Sequence, residues 1–395
     1  MTSSYHLEDR GKCNKNTCAN ARNVPKLRFK GYNDEWKHVK IGEIYKERSE
    51  RGNTDAELLS VTMNDGVKRR IDIEGKDISS EDKSNYKSVY IGDMVYNSMR
   101  MWQGANGISN YDGIVSPAYT VMFPKTKLCN NFIGYLFKYE PLIFLFRRYS
   151  QGLTSDTWNL KYPQIKQLSI SIPSLLEQEK IASFLTLIDK KIEKQKELVE
   201  LLKKYKRGLL SAIFSQKLRF KDDNGNNYPA WEEKRLENIL KIKHGKSQKE
   251  IECNNGKYPI LATGGEIGKT NSYLWDKPCV LIGRKGTIDK PQYMDTPFWT
   301  VDTLFYSEVF KENNAKYLYY LFNTINWKKY DESTGVPSLS AKTIERIKVT
   351  LSINYSEQLA ISKILSKFDD KIQQEEFILE KLQNYKKGLL QQMFI

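Results

Sequence analysis

Arginine, lysine, asparagine and glutamine side chains cluster with tryptophan at several points of the sequence, and this combination suits contact with nucleic acid. Such side chains pair with base edges, while lysine, serine, threonine and backbone amides hold phosphates. Any single cluster is more often a solvated loop, but their recurrence in both halves of the chain favours DNA. The candidate DNA-binding residues of the first half are Lys68, Arg69, Arg70, Asn97, Arg100, Trp102, Gln103, Ser155, Trp158 and Asn159. Those of the second half are Lys246, Lys269, Thr270, Arg284, Lys285 and Thr287.

Catalytic chemistry finds little support in the sequence. An amino-methyltransferase needs an Asn/Asp-Pro-Pro-aromatic tetrapeptide, and no Pro-Pro occurs. A restriction-type nuclease needs Pro-Asp ahead of Glu-x-Lys, and Pro-Asp is absent. Three histidines (His6, His38 and His244) and five cysteines without paired short spacing predict neither a nucleophilic triad nor a zinc site. We therefore expect no catalytic residue, no metal site and no cofactor bound by this chain.

The stretch Thr263–Thr270 (TGGEIGKT) superficially matches a nucleotide-binding loop. A phosphate loop requires glycine five residues before the second glycine, and counting back from Gly268 gives Thr263. No long helical pattern follows. We interpret the stretch as a glycine-rich turn beside a basic, DNA-facing surface.

Two long helices are predicted to position these clusters. Residues 177–214 and 357–394 align without a gap at an offset of 180, and 15 of 38 positions are identical. Apolar residues recur at a three-four spacing, which gives each helix one apolar stripe. The spacer and subunit-docking candidates on it are Leu185, Ile188, Ile192, Leu202, Tyr205, Leu365, Phe368, Ile372, Leu382 and Tyr385. At 1.5 Å per residue each helix is about 55 Å long.

The economical arrangement packs the two helices on each other, antiparallel, as a spacer. Two unrelated amphipathic helices in separate cores are the alternative, but the shared register argues against it. Ser174 and Asn354 each stand three residues before a glutamate, which predicts a capping box or its asparagine relative at both starts.

A shorter repeat precedes each globular region. Lys26–Lys30 (KLRFK) recurs as Lys217–Lys221, and each copy is followed by a tryptophan, Trp36 or Trp231. A two-fold relation between the halves would place the C-terminus near the first copy, a circular organisation. We predict an α+β fold of two globular α/β domains separated by two long antiparallel, coiled-coil helices, with an internal pseudo-two-fold repeat. The predicted boundaries are a disordered tail over 1–24, globular domains over 25–174 and 217–354, and helices over 175–216 and 355–395.

Strand-like runs are predicted at Leu58 to Met63, Ser88 to Ile91, Met94 to Tyr96 and Tyr119 to Phe123, with a helical run at Phe132 to Tyr149. In the second domain they are Val280 to Ile282 and Thr303 to Tyr306.

Charge and hydropathy limit the kinds of partner that the chain can have. The chain has 63 Lys and Arg against 48 Asp and Glu, a net charge of +15, which suggests a polyanion such as nucleic acid. The most apolar stretch, Phe132 to Phe146, is interrupted by Lys138, Glu140 and Pro141, so it predicts no membrane span. We expect a cytoplasmic protein without membrane contact.

Taken together, these motifs resemble the specificity (S) subunit of type I restriction–modification systems. Glu-Gln-x-x-Ile opening a long helix and Tyr-Lys-Lys/Arg-Gly-Leu-Leu closing it look like the repeated spacer of that family. Ile91–Gly104 with Asp112–Tyr119 resembles one class of its target-recognition domains, and Leu281–Ile288 with Pro297–Thr303 resembles another. The likeness covers about residues 24–395 and leaves the leading tail unmatched.

The resemblance implies a division of labour. Each globular domain would be a target-recognition domain that reads one half of a bipartite, asymmetric site on double-stranded DNA. The helix pair would set the gap between the halves and dock two methyltransferase (M) subunits, with half-sites centred one to one and a half DNA turns apart. S-adenosylmethionine, ATP and magnesium would be bound by partner subunits, including restriction/translocase (R) subunits that cleave DNA.

Two other classes stay open at this point. One is a stand-alone DNA-binding regulator with a coiled-coil dimerisation arm, which would be well behaved in isolation. The other is a nuclease or methyltransferase in its own right, which methylation by the purified chain alone would reveal.

Overall fold

The computed structural model describes residues 23–63, 65–77 and 79–395. The described residues up to Lys194, together with Leu379–Ile395, form one compact unit (unit 1), and Gln195–Ile378 form another (unit 2). Most of the predicted tail, residues 1–22, lies outside the described residues. Asn23 is already ordered: its carbonyl accepts the Trp36 N–H at 2.9 Å, and its side chain accepts from the Ser171 hydroxyl.

Unit 1 is built from short strands and helices. In chain order they are β1 (Lys37–Lys40), α1 (Ile41–Ile44), β2 (Tyr45–Glu47), β3 (Leu59–Thr62), β4 (Gly66–Arg69), β5 (Lys87–Val89), β6 (Met94–Asn97), β7 (Asn106–Ile108), β8 (Gly113–Val115), β9 (Tyr119–Pro124), α2 (Asn130–Leu136), α3 (Glu140–Tyr149), α4 (Tyr162–Ile165) and β10 (Ser169–Ile172). The next helix, α5 (Leu175–Phe214), gives its residues up to Lys194 to unit 1 and the remainder to unit 2.

Unit 2 repeats this plan. Its elements are β11 (Glu232–Arg235), β12 (Leu240–Lys243), β13 (Tyr258–Ala262), β14 (Gly265–Thr270), β15 (Cys279–Gly283), β16 (Gln292–Met294), β17 (Trp299–Thr300), β18 (Leu304–Val309), α6 (Ala315–Phe322), α7 (Ala341–Arg346) and β19 (Lys348–Leu351). The last helix, α8 (Tyr355–Met393), runs from unit 2 into unit 1. Short 3-10 turns lie at Arg70–Asp72, Met101–Gln103, Leu236–Asn238 and Trp327–Tyr330.

The four-stranded sheets of the two units correspond strand for strand, whereas further strands form the pairs β3-β4 and β5-β8 in unit 1 and one three-stranded sheet, β14-β13-β17, in unit 2. The antiparallel order of the four-stranded sheets is β2-β9-β6-β7 in unit 1 and β12-β18-β15-β16 in unit 2. A separate antiparallel pair, β1 with β10 or β11 with β19, joins the start of each globular region to the strand before its long helix. The central strands β6 and β15 are apolar and buried at nearly every position, because alternate residues of each strand belong to two different cores, one on each face of the sheet.

The predicted strands are confirmed with small changes at their ends, but the helical run at Phe132 to Tyr149 is two helices. Pro141 occupies the first turn of α3, where its fixed φ and missing N–H are tolerated. Inside one continuous helix the same residue would remove a hydrogen bond and clash with the preceding turn. The chain therefore breaks over residues 137–139.

The helix starts differ from the predicted capping box. Asn354 does cap α8, because its side chain accepts the Glu357 N–H at 3.1 Å. The reciprocal half of the box is wrong: the N–H of Asn354 is bonded to Ser352 Oγ, and the Glu357 carboxylate binds Arg219. Glu177 likewise binds Arg28, at 2.7 and 2.8 Å. Both glutamates are buried, so they need a cationic partner more than a helix amide.

The circular organisation is confirmed within unit 1. The C-terminal residues Leu389, Met393 and Phe394 are buried in the same core as Trp36, and the Leu27 N–H donates to the Gln392 carbonyl at 2.9 Å. In unit 2 the end of α5 takes the equivalent place, with Ile213 in the core that also holds Trp231.

Antiparallel packing of the long helices is visible inside each unit. In unit 1, Asp189 of α5 forms an ion pair with Lys386 of α8 and accepts a hydrogen bond from Tyr135 at 2.8 Å. In unit 2, Asp369 of α8 pairs with Lys206 of α5 and accepts from Tyr320 at 2.6 Å. Positions 189 and 369, and positions 206 and 386, differ by the 180 residues of the repeat. The predicted pseudo-two-fold repeat is therefore expressed in side-chain contacts.

Candidate nucleic-acid interface

The loop after β6 is a tight turn that exposes two of the candidate residues. Asn97 accepts the Met99 N–H at 3.0 Å, and the Trp102 indole donates to the Met99 carbonyl at 3.1 Å. Gly104 closes the turn at a φ of +85°, a conformation that favours glycine. Arg100 and Gln103 project from this turn into solvent.

A second candidate cluster joins this turn in space. Gln151 and Asn159 exchange backbone hydrogen bonds at 2.9 and 2.8 Å, which closes a loop carrying Ser155 and Trp158. The Trp158 ring meets Trp102 edge to face at 5.2 Å between centroids. We call these two segments, Asn97–Gly104 and Gln151–Asn159, the unit 1 edge.

Arg147 of α3 completes the unit 1 edge and was missed by sequence reasoning. Its guanidinium lies 5.9 Å from the Trp102 ring centroid and 5.3 Å from that of Trp158. Such a cation over aromatic faces is attracted by the ring quadrupoles. The one available signal was the Arg147-Arg148 pair ending an otherwise apolar helical run.

Lys138 supports the unit 1 edge from beneath. Its ammonium donates to the Gly104 carbonyl at 2.6 Å and to the Met63 carbonyl at 2.9 Å. Burial lowers the pKa of Lys138 to about 8, with a smaller contribution from the nearby positive charge of Lys386. A cation held in this way fixes the turn that presents Arg100.

The arginines of the Lys68–Arg70 cluster bind nearby groups of their own segment. Arg69 binds Asp72 at 2.9 Å, and Arg70 donates to the carbonyls of Ile73 and Gly75 at 2.8 and 2.9 Å. Both guanidinium groups are thus engaged within their own segment. Their DNA-binding role stays a prediction, and it would require these groups to exchange partners.

Unit 2 has an equivalent edge with different contents. The Leu339 N–H donates to the Arg284 carbonyl at 2.9 Å, just as the Leu160 N–H donates to the Ser98 carbonyl at 2.8 Å in unit 1. The Gly286 N–H also bonds the Pro337 carbonyl at 2.8 Å. We call the two segments that meet here, Arg284–Thr287 and Asp331–Ser338, the unit 2 edge.

The candidate residues of the unit 2 edge differ in availability. Lys285 is exposed and Thr287 is partly exposed, while Arg284 forms an ion pair with Asp302. The glycine-rich turn approaches this edge, because a Cβ on Gly286 would lie 3.6 Å from Thr263 Oγ1. That turn connects β13 to β14 in a hairpin, in agreement with the interpretation that it is no phosphate loop.

The remaining candidates of unit 2 lie on neighbouring loops. The exposed Lys246 is held through its backbone, by the Thr300 carbonyl and by the Trp299 indole at 2.9 Å. Lys269 is exposed on β14, but Thr270 is fully buried and its hydroxyl accepts the Ser272 N–H. Thr270 therefore supports the loop and offers no surface to DNA in this conformation.

The helix candidates divide between core and surface. Leu185 and Leu365 are fully buried in the cores of units 1 and 2, so they present no atoms to another subunit. Ile192 and Ile372 are also buried, and a further set is partly buried: Ile188, Leu202, Phe368 and Leu382. Tyr205 and Tyr385 are 59% and 57% exposed at equivalent repeat positions. Docking by this set stays a prediction.

Over the described ranges no group of His, Cys, Asp and Glu could hold a metal ion. None of the helices in the same ranges has the combination of length and hydrophobicity that a membrane span requires.

Comparison with known proteins gives consistent matches. A family model described as the type I restriction modification DNA specificity domain matches residues 33–203 and 229–384. The type I restriction enzyme MjaIX specificity subunit of Methanocaldococcus jannaschii is 31% identical over 150 residues, 35% of this chain and 34% of that protein. The MjaVIII specificity subunit of the same organism is 29% identical over 216 residues, 46% of each protein. The matches thus span between a third and a half of those relatives.

A solved structure shares the fold. The S subunit of a type I restriction-modification system from M. genitalium superposes with a TM-score of 0.60, covering 94% of this chain and 99% of that one at 19% identity. At such low identity the likeness concerns the fold alone, and it agrees with the predicted α+β architecture.

Proposed function

The chain belongs to the family of type I restriction modification DNA specificity domains, and we propose that each of its units reads one half of a split, asymmetric site on double-stranded DNA. One observation carries the proposal. The two units share a backbone framework, and this likeness extends to an equivalent backbone hydrogen bond at each edge. The side chains that the two edges present are nevertheless different. A common scaffold with different contents is the arrangement needed to read two unrelated half-sites.

The chemistry of the two edges supports base reading. The unit 1 edge offers Arg100 and Gln103 beside an arginine-bridged tryptophan pair. The unit 2 edge offers Lys285 and Thr287 next to a glycine-rich turn. Arginine and glutamine suit guanine and adenine edges in the major groove, whereas lysine and threonine also hold phosphates.

The long helices would set the gap between half-sites and dock two methyltransferase subunits. The exposed Tyr205 and Tyr385 support two equivalent docking sites, because they occupy matching positions of the repeat. S-adenosylmethionine, ATP and magnesium would be bound by the methyltransferase and by restriction/translocase subunits. The assembly would act on DNA in the cytoplasm. The family match gives no support to a stand-alone regulator.

Methylation mapping tests the proposal directly. The full-length chain is expressed with a methyltransferase subunit, and the DNA of the host cell is sequenced for modified adenine. A split motif with two unrelated halves and a fixed gap is the expected result. An assembled complex that leaves no modified motif would contradict it.

Modularity is tested by Arg100→Ala, with Lys285→Ala as the counterpart in unit 2. Loss of one base-reading side chain typically costs about 1–3 kcal/mol of discrimination. Arg100→Ala should therefore relax the preference in one half of the motif, and Lys285→Ala should leave that half intact. Relaxation of both halves by Arg100→Ala would refute independent reading.

A further inference from the structure

The loop of each edge carries one exposed apolar side chain. Leu153 of the unit 1 edge is fully exposed (101%), and Val336 of the unit 2 edge is 67% exposed. Each directly follows a glycine, Gly152 or Gly335. Single exposed apolar residues are ordinary on protein surfaces. Leu153 lies seven residues before Leu160 and Val336 three before Leu339, so the two loops differ in detail, yet each edge carries one exposed apolar side chain.

The loop that carries Leu153 is closed by its own polar groups. Thr154 and Thr157 bond each other through backbone and hydroxyl, with the Thr157 N–H 3.0 Å from the Thr154 carbonyl. Gly152 adopts a φ of +149°, and a Cβ there would lie 2.6 Å from the Thr157 carbonyl oxygen. The backbone is thus folded on itself, and Leu153 is directed into solvent.

The loop that carries Val336 is also closed by its own polar groups, but here a carboxylate accepts the hydrogen bonds. The Asp331 carboxylate accepts the N–H groups of Ser333 and Ser338 at 3.0 and 2.9 Å. These hydrogen bonds lower the pKa of Asp331, and the bond from the Ser338 N–H has the largest effect. The Glu332 N–H donates to the Ser338 carbonyl at 3.0 Å, which closes the base of the loop. Val336 is left outside this polar base.

Each tip lies within the segment that meets the loop after the central strand. Leu153 belongs to the segment bonded to Ser98 through Leu160, and Val336 belongs to the segment bonded to Arg284 through Leu339. A cationic residue contacts each segment: Arg147 lies over Trp158 in unit 1, and Lys285 forms a backbone bridge with Ser338 in unit 2. Cations attract the phosphates, but an apolar side chain gains only from an apolar surface. On DNA that surface is provided by the bases.

We propose that Leu153 and Val336 are base-contacting residues, one for each half-site, that bury their apolar side chains against a thymine methyl group or a base step. The inference rests on the proposed function. Leucine is among the side chains that enter base steps, and apolar groups also recognise the thymine methyl in the major groove. The contact would add sequence preference without adding a phosphate contact.

The test uses Leu153→Ser and Val336→Ser in the full-length chain, with Ile91→Ser as the matched control. Ile91 is also 67% exposed, but it precedes β6 and so stands at the opposite end of that strand from the unit 1 edge. Each variant selects duplexes from a randomised library, and affinity is measured against salt. Unfolding midpoints of the serine variants should stay near wild type because Leu153 is fully exposed and Val336 and Ile91 are mostly exposed in the free protein.

Leu153→Ser should reduce discrimination by about 5- to 100-fold at one position of one half-site, with an unchanged salt slope. Val336→Ser should do so in the other half, and Ile91→Ser in neither. Replacing thymine by uracil at the affected position should weaken wild type if the methyl is the contact. A rise in 2-aminopurine fluorescence there would indicate insertion into the base step.

Unchanged preference in both serine variants, with wild type selecting a split motif, would overturn the inference and leave the proposed function standing. A reduced salt slope would overturn it as well, because it would indicate a phosphate contact. Wild type that selects no motif would refute the proposed function itself, and the inference with it.

Discussion

Units 1 and 2 differ far more at their edges than at their helix anchors. In unit 1 Arg28 binds Glu177 and in unit 2 Arg219 binds Glu357, so the same buried ion pair fixes both helix starts. The edges share a backbone hydrogen bond and one exposed apolar side chain each. Beyond that, the unit 1 edge carries a tryptophan pair with an arginine, and the unit 2 edge carries a lysine beside an arginine that is paired with Asp302. The anchors maintain the geometry of each unit, which allows the edges to diverge without loss of the fold.

Truncation after Ile378 should have the largest effect, because it should destabilise unit 1 and leave unit 2 folded. It removes Leu389, Met393 and Phe394, which are buried in unit 1 although they end the chain. At about 1.5–3 kcal/mol per buried side chain, the loss is roughly 5–9 kcal/mol, comparable with the whole stability of a domain. Hydrogen exchange should show that β6 and β9 lose protection while β15 and β18 keep it.

The exposed Tyr385 supplies the control for the truncation. Tyr385→Ala lies in the deleted segment but should leave exchange in both units near wild type. Equal loss of protection in both units on truncation would show that the C-terminal segment does not belong specifically to unit 1.

The ion pairs predict a smaller, unequal effect. Arg28→Ala leaves a buried carboxylate without its cation, a change that typically costs about 3–5 kcal/mol. Arg219→Ala should cost less because Glu357 keeps two other donors, the Trp231 indole at 3.0 Å and the Ser352 hydroxyl at 2.6 Å. In unit 1 the corresponding Trp36 indole N–H is buried and has no hydrogen-bond partner among the described residues.

Denaturant unfolding followed by exchange in each unit measures the difference between the two arginine variants. Arg100→Ala, at an exposed arginine, controls for loss of charge alone. Equal costs for Arg28→Ala and Arg219→Ala would mean that the extra donors to Glu357 contribute nothing measurable.

These anchors also show what sequence reasoning could reach. The long helices and their pairing follow from a gapless repeat and a three-four apolar spacing, which are properties of neighbouring residues in the chain. The Asn354 cap was predicted correctly, but the reciprocal bond from the glutamate is absent because both glutamates bind distant partners: Arg28 is 149 residues from Glu177. A buried charge chooses its partner by tertiary proximity, and no local motif reports that choice.

The edges were only partly predictable for the same reason. Local composition identified the clusters around Trp102 and Trp158, and the structure brings them together. Arg147 and Lys138 lie on other segments and reach the edge only after α2 and α3 have packed. The sequence also could not show that Thr270 is buried, since threonine occurs both in strands and at surfaces.

Lys138 allows a pH test that should affect unit 1 alone. Its pKa in the folded state, about 8, lies below its ordinary value of 10.5, so the unfolded chain binds more protons between these values. The stability of unit 1 should therefore rise as pH increases from about 8 towards 10, by up to about 3 kcal/mol, and this contribution should be constant below pH 8.

Lys138→Met should remove that contribution, and the difference between wild type and variant isolates it from other titrating groups. Exchange in unit 2 provides the internal reference. A variant whose stability follows the wild-type pH profile in unit 1 would show that Lys138 is as solvated as an ordinary lysine.

The smallest expected effect concerns the tyrosines that bind the helix aspartates. Tyr135→Phe and Tyr320→Phe each remove one hydrogen bond to a carboxylate that keeps its lysine, and Tyr135→Phe also removes the hydrogen bond between its hydroxyl and Thr186 Oγ1 at 3.2 Å. Each variant should cost about 1–2 kcal/mol in its own unit. The two costs should be of similar size because both tyrosines bind the aspartate of a matching aspartate–lysine pair. If they do, while substitutions at the two edges alter different half-sites, the anchors and the edges are separable in energy as well as in sequence. A large difference between the two phenylalanine variants would instead show that the repeat preserves the contacts without preserving their strength.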